Sequence, residues 1–256
     1  MKRVLYIFRD PPLDGPSNMA RDEHLLYAPD LRPAAIRVYA WEPPAISLGY
    51  FQRFVEVASL PPEVRRLTVV RRVTGGGAIL HDREVTYCLT LDDSVPVATQ
   101  APIALYRLVH GCWRDALRAN GMQVELAPPE FPLPTPRGGP FFCFQKPGCT
   151  DVVLRAVADG AEVGLLKLVG SAQRRIPGRV LQHGSVLLGR RFACHPGADL
   201  GQPAREMVER WVNDFLDRLA SALELTPQSA AWTAEQLVDV CRRRVRYESA
   251  EWTQAR

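Results

Sequence analysis

Lys167 stands in the middle of the apolar run GLLKLVG, in a chain that otherwise avoids lysine. Of 32 Lys and Arg residues only Lys2, Lys146 and Lys167 are lysine, so an ordinary solvated position would be arginine. An amine inside such a run either snorkels past a sheet edge or supplies what guanidinium lacks, a pKa that burial can move. Partial burial lowers a lysine pKa toward the range where it exchanges protons. Lys167, in EVGLLKLVGSAQRR, is therefore a candidate for chemistry.

A second candidate is VVRRVTGGGAILHD, residues 69–82, a β-like run broken by Gly75, Gly76 and Gly77 and then resumed. A two-residue hairpin turn needs at most two positive-φ residues, so a triplet exceeds what a hairpin asks. Bare backbone lets a ligand lie directly on amide N–H groups, a small nest for an anion or a carbonyl oxygen. Arg71 and Arg72 point to opposite faces of their strand, so one of them looks into such a site. The spacing matches neither GxxxxGK[ST] nor GxGxxG, which removes P-loop and Rossmann nucleotide sites.

These motifs need elements to hold them. Apolar alternation and β-branched residues predict strands near 3–7, 35–41, 45–49, 67–72, 78–81, 84–91, 122–126, 151–157, 162–168 and 180–188. Helical spacing occurs at 17–28 with Asn18 as N-cap, at 99–121, and in two later stretches at 203–224 and 233–248. Strands in runs joined by short turns predict an α+β fold with a central mixed, largely antiparallel sheet flanked by helices. Residues 1–200 read as the catalytic domain and 201–256 as a helical segment packed on it. The proline- and glycine-rich segment 127–142 is long enough to be a functional or mobile loop.

The 256 residues, 46% of them hydrophobic, suffice for one large core. The net charge of +4 is spread among 28 acidic residues, without the concentrated basic stripe that nucleic acid binding requires. The opening run VLYIF is too short for a signal or a membrane span. Six cysteines form no CxxC pair and no zinc spacing, so no metal is expected; they read as reduced cytoplasmic thiols.

RRVTGGGAILHD and KLVGSAQRR together resemble the two signatures of the lipoate protein ligase and octanoyltransferase branch of the biotin/lipoate ligase superfamily. Further matches lie at NMARDEHLL (18–26), YAWEPPAISLGYFQ (39–52) and LQHGSVLL (181–188), so the likeness spans about 18–190 in the family's order. The resemblance implies an α+β catalytic domain with a central mixed sheet. It also implies one of two chemistries: ATP-dependent activation of free lipoate, or transfer of octanoyl from acyl carrier protein through a cysteine.

Cys143, in GPFFCFQKPGCTDVV, sits where single-cysteine transferases place their nucleophile in a similar CF dipeptide. It follows a Gly-Gly-Pro loop and precedes the lysine strand. Cys149 is the local competitor; Cys88, Cys112 and Cys241 read as structural, and Cys194 is not expected to pair with His195. The transferase reading makes Cys143 the nucleophile and Lys167 its charged partner and proton relay. Backbone N–H groups of Gly170 and Ser171, beside Ala172, meet the carbonyl, while Arg72, Thr74 and Gly75, Gly76 and Gly77 line the mouth of an acyl tunnel. His81 and His183 either support or take part; His24 and His110 read as ordinary structure.

Gln182-His183-Gly184 replaces the His-His-Gly usual in ligases, and after residue 200 no clear accessory domain follows, which favours the transferase. The resemblance then implies octanoyl-acyl carrier protein as donor and a lipoyl-domain protein (glycine cleavage H protein or 2-oxoacid dehydrogenase E2) as acceptor. No cofactor is required; ATP and Mg belong to the ligase alternative. An amidotransferase between carrier domains shares the cysteine, and a degenerate binder of lipoyl domains is the non-enzymatic alternative. No nucleic acid and no membrane partner is expected.

Overall fold

The computed structural model describes residues 3–132, 139–158 and 161–256. The chain runs β1 (Val4–Arg9), α1 (Gly15–Tyr27), β2 (Ala34–Tyr39), β3 (Ala45–Leu48), α2 (Pro62–Arg65), β4 (Thr68–Arg71), β5 (Ile79–His81) and β6 (Glu84–Asp92). It continues through α3 (Pro102–Ala119), β7 (Val124–Leu126), β8 (Val152–Ala158), β9 (Ala161–Ile176), β10 (Arg179–Leu187), α4 (Arg205–Ala222), β11 (Thr226–Ser229), α5 (Ala234–Glu248) and α6 (Ala250–Thr253).

The main sheet has the order β11-β1-β2-β6-β10-β9-β8-β7. Only β11-β1 and β1-β2 are parallel; every other pair is antiparallel, as the run of closely spaced strands requires. All nine residues of β6 are buried, because helices cover both faces of the sheet's centre. Tyr87, Leu89 and Leu91 face a core shared with α3 and α4, where Trp113 stacks on Phe215 at 3.9 Å. Cys88 faces the opposite core beneath α1. A second, three-stranded sheet, β4-β3-β5, was not foreseen, and it carries the glycine triplet. Since β4 and β5 both pair with β3 and not with each other, the triplet crosses between separated strands and is not a hairpin turn.

Three readings are corrected. Asp14, not Asn18, caps α1, accepting from Ser17 N at 2.8 Å with Pro16 in the first turn. Asn18 lies inside the helix, where its amide donates to the Leu13 and Ala40 carbonyls and its oxygen accepts from Arg37. β9 does not stop near 168 but runs to Ile176 in continuous register with β10. The segment after 200 adds the edge strand β11 as well as helices. Arg243 and Arg246 pair with Glu23 and Arg244 with Asp14, bracing α5 against α1 and its cap.

The centre of the 127–142 loop, 133–138, lies outside the described residues, and with it any lid role for that stretch. No helix among the described residues is long and apolar enough to cross a membrane.

Candidate active site

Pairing of β8 with β9 ends at Val152↔Val169, so, among the described residues, 170–176 of β9 have β10 on one side and no strand on the other. Alternate peptide groups along that edge point away from β10. A register shift between Val152 and Val153 pairs Val169 and then Lys167 with successive β8 residues, a bulge that re-aims Lys167. Its side chain folds over Gly170, where an added Cβ would sit 2.1 Å from Lys167 Cε and 2.6 Å from Nζ. Gly170 is the space the lysine occupies.

Cys143 arrives from the other direction. Its amide donates to Ala78 O at 2.8 Å and Ala78 N donates to Phe141 O at 2.7 Å, tying the cysteine segment alongside the glycine loop. A Cβ on Gly77 would meet Cys143 N at 2.9 Å, and Gly76 has φ +87°. Two members of the triplet are thus explained by close approach and by left-handed backbone. Arg72 fixes the loop from beneath, donating to Ser47 O, Thr74 Oγ1, Gly75 O and Gly77 O at 2.7–3.0 Å. Burial draws its pKa down to about 10, so it remains charged at neutral pH. Arg71 points away and clamps Gly49 O, Tyr50 O, Gln52 O and Thr253 O.

Lys167 Nζ lies 3.4 Å from Cys143 Sγ, 2.7 Å from Asp151 Oδ2 and 5.1 Å from the Phe144 ring centroid. Burial acts to lower the lysine pKa, but Asp151 and Cys143 outweigh it and raise it above the ordinary range. This corrects the expectation of an amine tuned to exchange protons: Lys167 is a fixed ammonium. Asp151 also accepts from Gly148 N at 2.7 Å. It follows Thr150, a β-branched residue at φ 76°, a conformation that costs roughly 1–3 kcal/mol and aims Asp151 inward.

These groups border a cavity of ≈ 630 Å³. The structure brings Cys143, Lys167, Arg72, Gly75, Gly76, Gly77, His81, Ser171, Ala172 and His183 onto its wall. Thr74 and Gly170 stand behind it, Thr74 bonded to Arg72 and to His183 Nε2 at 2.6 Å. His183 is held by Asp22 at 2.9 Å. His81 bridges Glu84 and Ser47, each at 2.7 Å, and stacks on Trp41 at 3.6 Å. Burial lowers its pKa against the pull of Glu84, leaving a neutral imidazole at pH 7. Trp41, Met19, Ile79 and Tyr106 give the wall its apolar part.

The sequence reading missed Asp151, Lys146 and Gly184, all on the cavity wall. A Cβ on Gly184 would meet Gly170 O at 2.5 Å, so that glycine lets the wall close. His110 is fully buried and bonds Ser171 Oγ and Thr150 O, each at 2.7 Å. Cys149 is buried off the wall, and His195 faces Pro196 O and Leu80 O rather than Cys194. No cluster of three or more metal-ligating side chains occurs among the described residues.

A thiol beside a buried ammonium, on the wall of a cavity that is partly apolar and partly glycine backbone, suits acyl chemistry. The chain belongs to the lipoyl protein ligase A/B catalytic domain family, whose model matches residues 14–243. It is 38% identical over 215 residues to an octanoyltransferase LipM of Kyrpidia tusciae, covering 81% of this chain and 71% of that protein. To the LipM of Geobacillus kaustophilus it is 31% identical over 247 residues, covering 90% and 81%. Among solved structures, a lipoate-protein ligase A bound with ATP superposes with TM-score 0.74 at 16% identity over 99% of each chain. A bi-partite lipoate protein ligase from Thermoplasma acidophilum gives TM-score 0.71 at 16% identity, over 99% of this chain and 96% of that one. At that identity the two structures establish the fold.

Proposed function

We propose that this protein is a cysteine-dependent acyltransferase. It moves an octanoyl group from acyl carrier protein to a lysine of a lipoyl-domain protein, with Cys143 carrying the acyl group between them. The observation that carries this reading is the 3.4 Å contact of Lys167 Nζ with Cys143 Sγ on the wall of the cavity. A fixed ammonium at that distance stabilises a thiolate, the form of cysteine that attacks.

The thiolate attacks the octanoyl carbonyl, forming an S–C bond and expelling the carrier's pantetheine as a thiolate, which takes its proton from solvent. Lys167 and the peptide N–H group that Gly170 or Ser171 turns to the freed edge receive the negative charge on the tetrahedral oxygen. The acceptor amine then attacks the thioester on Cys143 and the thiolate returns. A thioester is already activated, so neither ATP nor another cofactor enters. Six methylenes at ~0.8 kcal/mol each contribute about 5 kcal/mol of apolar burial, enough to select for chain length. Residues 1–200 carry this machinery and 201–256 brace it. The reaction belongs to a reducing cytoplasm, where Cys143 stays a thiol.

The test is incubation with octanoyl-acyl carrier protein without ATP, followed by intact mass and peptide mapping. The expected result is one octanoyl adduct, on Cys143, absent from Cys143→Ser and discharged by an added lipoyl-domain protein. No adduct, with adenylate formed from free octanoate and ATP, overturns the reading in favour of a ligase.

A further inference from the structure

We propose that Ser171 and His110 form the proton relay that serves the acceptor amine, a task Lys167 does not perform. This rests on the acyltransferase reading above. An amine attacking a thioester must shed a proton from the adduct, and the group that takes it must be unprotonated when the amine arrives. Lys167 is disqualified by Asp151, which holds it as an ammonium from 2.7 Å.

Ser171 is on the cavity wall, next in sequence to Gly170, over which Lys167 lies. Its Oγ is 2.7 Å from His110 Nε2, and His110 Nδ1 is 2.7 Å from Thr150 O. A carbonyl only accepts, so Nδ1 carries the ring proton and donates to Thr150 O. Nε2 is then a lone pair that accepts the Ser171 hydroxyl proton. The hydroxyl is thereby polarised toward the histidine, leaving its own oxygen lone pairs to accept from a donor in the cavity.

The surroundings of His110 support a neutral ring that can take up charge. Asp151 Oδ1 lies 4.0 Å from Nδ1, and the Tyr106 ring is 6.0 Å away on α3. From β9 the Lys167 ammonium opposes protonation, and from β6 Tyr87 reaches Ser171. Burial, ahead of these charges, sets the His110 pKa below the ordinary imidazole value, while Asp151 and Thr150 O pull it up. One carboxylate thus serves two groups: Oδ2 fixes the Lys167 charge and Oδ1 faces the ring that becomes charged during reaction.

The acceptor lysine arrives as a free amine, having lost one proton to solvent, and its nitrogen bonds to the octanoyl carbon. The surplus proton on nitrogen passes to Ser171 Oγ as the serine proton passes to His110 Nε2. The C–S bond breaks with its electron pair returning to Cys143 Sγ beside Lys167. The imidazolium returns its proton through Ser171 Oγ to water in the cavity once the amide product leaves, and no oxidant or co-reactant is used. Ser171 touches the reacting amine; His110 acts through it and is a positioning residue that also stores the proton.

The experiment separates loading from discharge in single turnover. Wild-type, Ser171→Ala, Ser171→Thr and His110→Asn proteins are loaded from octanoyl-acyl carrier protein, then mixed with a lipoyl-domain protein across a pH series. Discharge is expected to fall on the order of 100-fold in Ser171→Ala and His110→Asn, with loading slowed by less than about tenfold. Ser171→Thr, which keeps the hydroxyl, retains most of the discharge rate. Wild-type discharge should rise with pH as the acceptor amine deprotonates and fall more steeply on the acid side of a second ionisation; only that second, steeper limb should vanish in His110→Asn. If His110→Asn does not fold, Ser171→Ala, a small change at the wall, decides alone by its rates. Near-wild-type discharge in Ser171→Ala overturns the relay and leaves the acyltransferase standing. Failure of wild-type Cys143 to load overturns the acyltransferase reading itself.

Discussion

Asp151 Oδ2 meets Lys167 Nζ at 2.7 Å, with both side chains almost out of water. The pair sets what each variant does to stability. Because the folded Lys167 pKa is raised above its unfolded value of about 10.4, its contribution is complete below that pH and is lost as pH rises through the folded value. Urea denaturation across pH should therefore show an alkaline loss of stability that Lys167→Met lacks. Asp151→Asn leaves the ammonium buried without its counter-charge and should cost about 3–5 kcal/mol at neutral pH. In that variant burial without the counter-charge sets the folded Lys167 pKa below its unfolded value, so the alkaline loss should disappear and stability should instead recover as pH rises. An unchanged alkaline limb would show that Asp151 is not what holds the charge.

Gly170→Ala should disable Lys167 without touching it. The new Cβ would lie 2.1 Å from Lys167 Cε, so the ammonium must leave Cys143 or the strand must shift. Displacement of a charged group by about 1 Å can cost on the order of 100-fold in rate, which steady-state transfer to a lipoyl domain would register mainly in kcat. The same substitution in a Lys167→Ala background has nothing to displace. A double-mutant cycle should then show strong non-additivity. Additive effects would mean that Gly170 serves some other purpose.

The large sheet was legible because its strands alternate: β6 and β10 were read within a residue of Glu84–Asp92 and Arg179–Leu187. The second half of β9 was not, because GSAQRR has the polar, glycine-bearing look of a loop, and only its pairing with β10 makes it strand. The glycine triplet pointed to a site, but its reason lay in Cys143 packing on Gly77, a contact between residues 66 positions apart that no local pattern encodes. Asp151 was invisible for the same reason. Its partnership with Lys167 depends on a register shift between β8 and β9 and on the strained backbone of Thr150. His110, one histidine on the apolar face of a helix, reads as core until Ser171 is seen opposite.

Arg72→Lys tests how the glycine loop is held. The guanidinium spreads its donors over Ser47 O, Thr74 Oγ1, Gly75 O and Gly77 O, whereas an ammonium offers three donors at a single point and cannot span them. Two loop carbonyls would be left without their donor, and stability should fall by about 3 kcal/mol in chemical denaturation. The chemistry should suffer separately. Gly77 carries the segment bearing Cys143, through the Ala78 and Cys143 backbone bonds at 2.7 and 2.8 Å. A loosened loop therefore lets the thiol drift from Lys167. Loading of Cys143 from the carrier-bound donor should slow even under conditions where the variant is fully folded by circular dichroism. A variant that loses stability yet loads at the wild-type rate would confine Arg72 to the fold and separate the loop from the thiol.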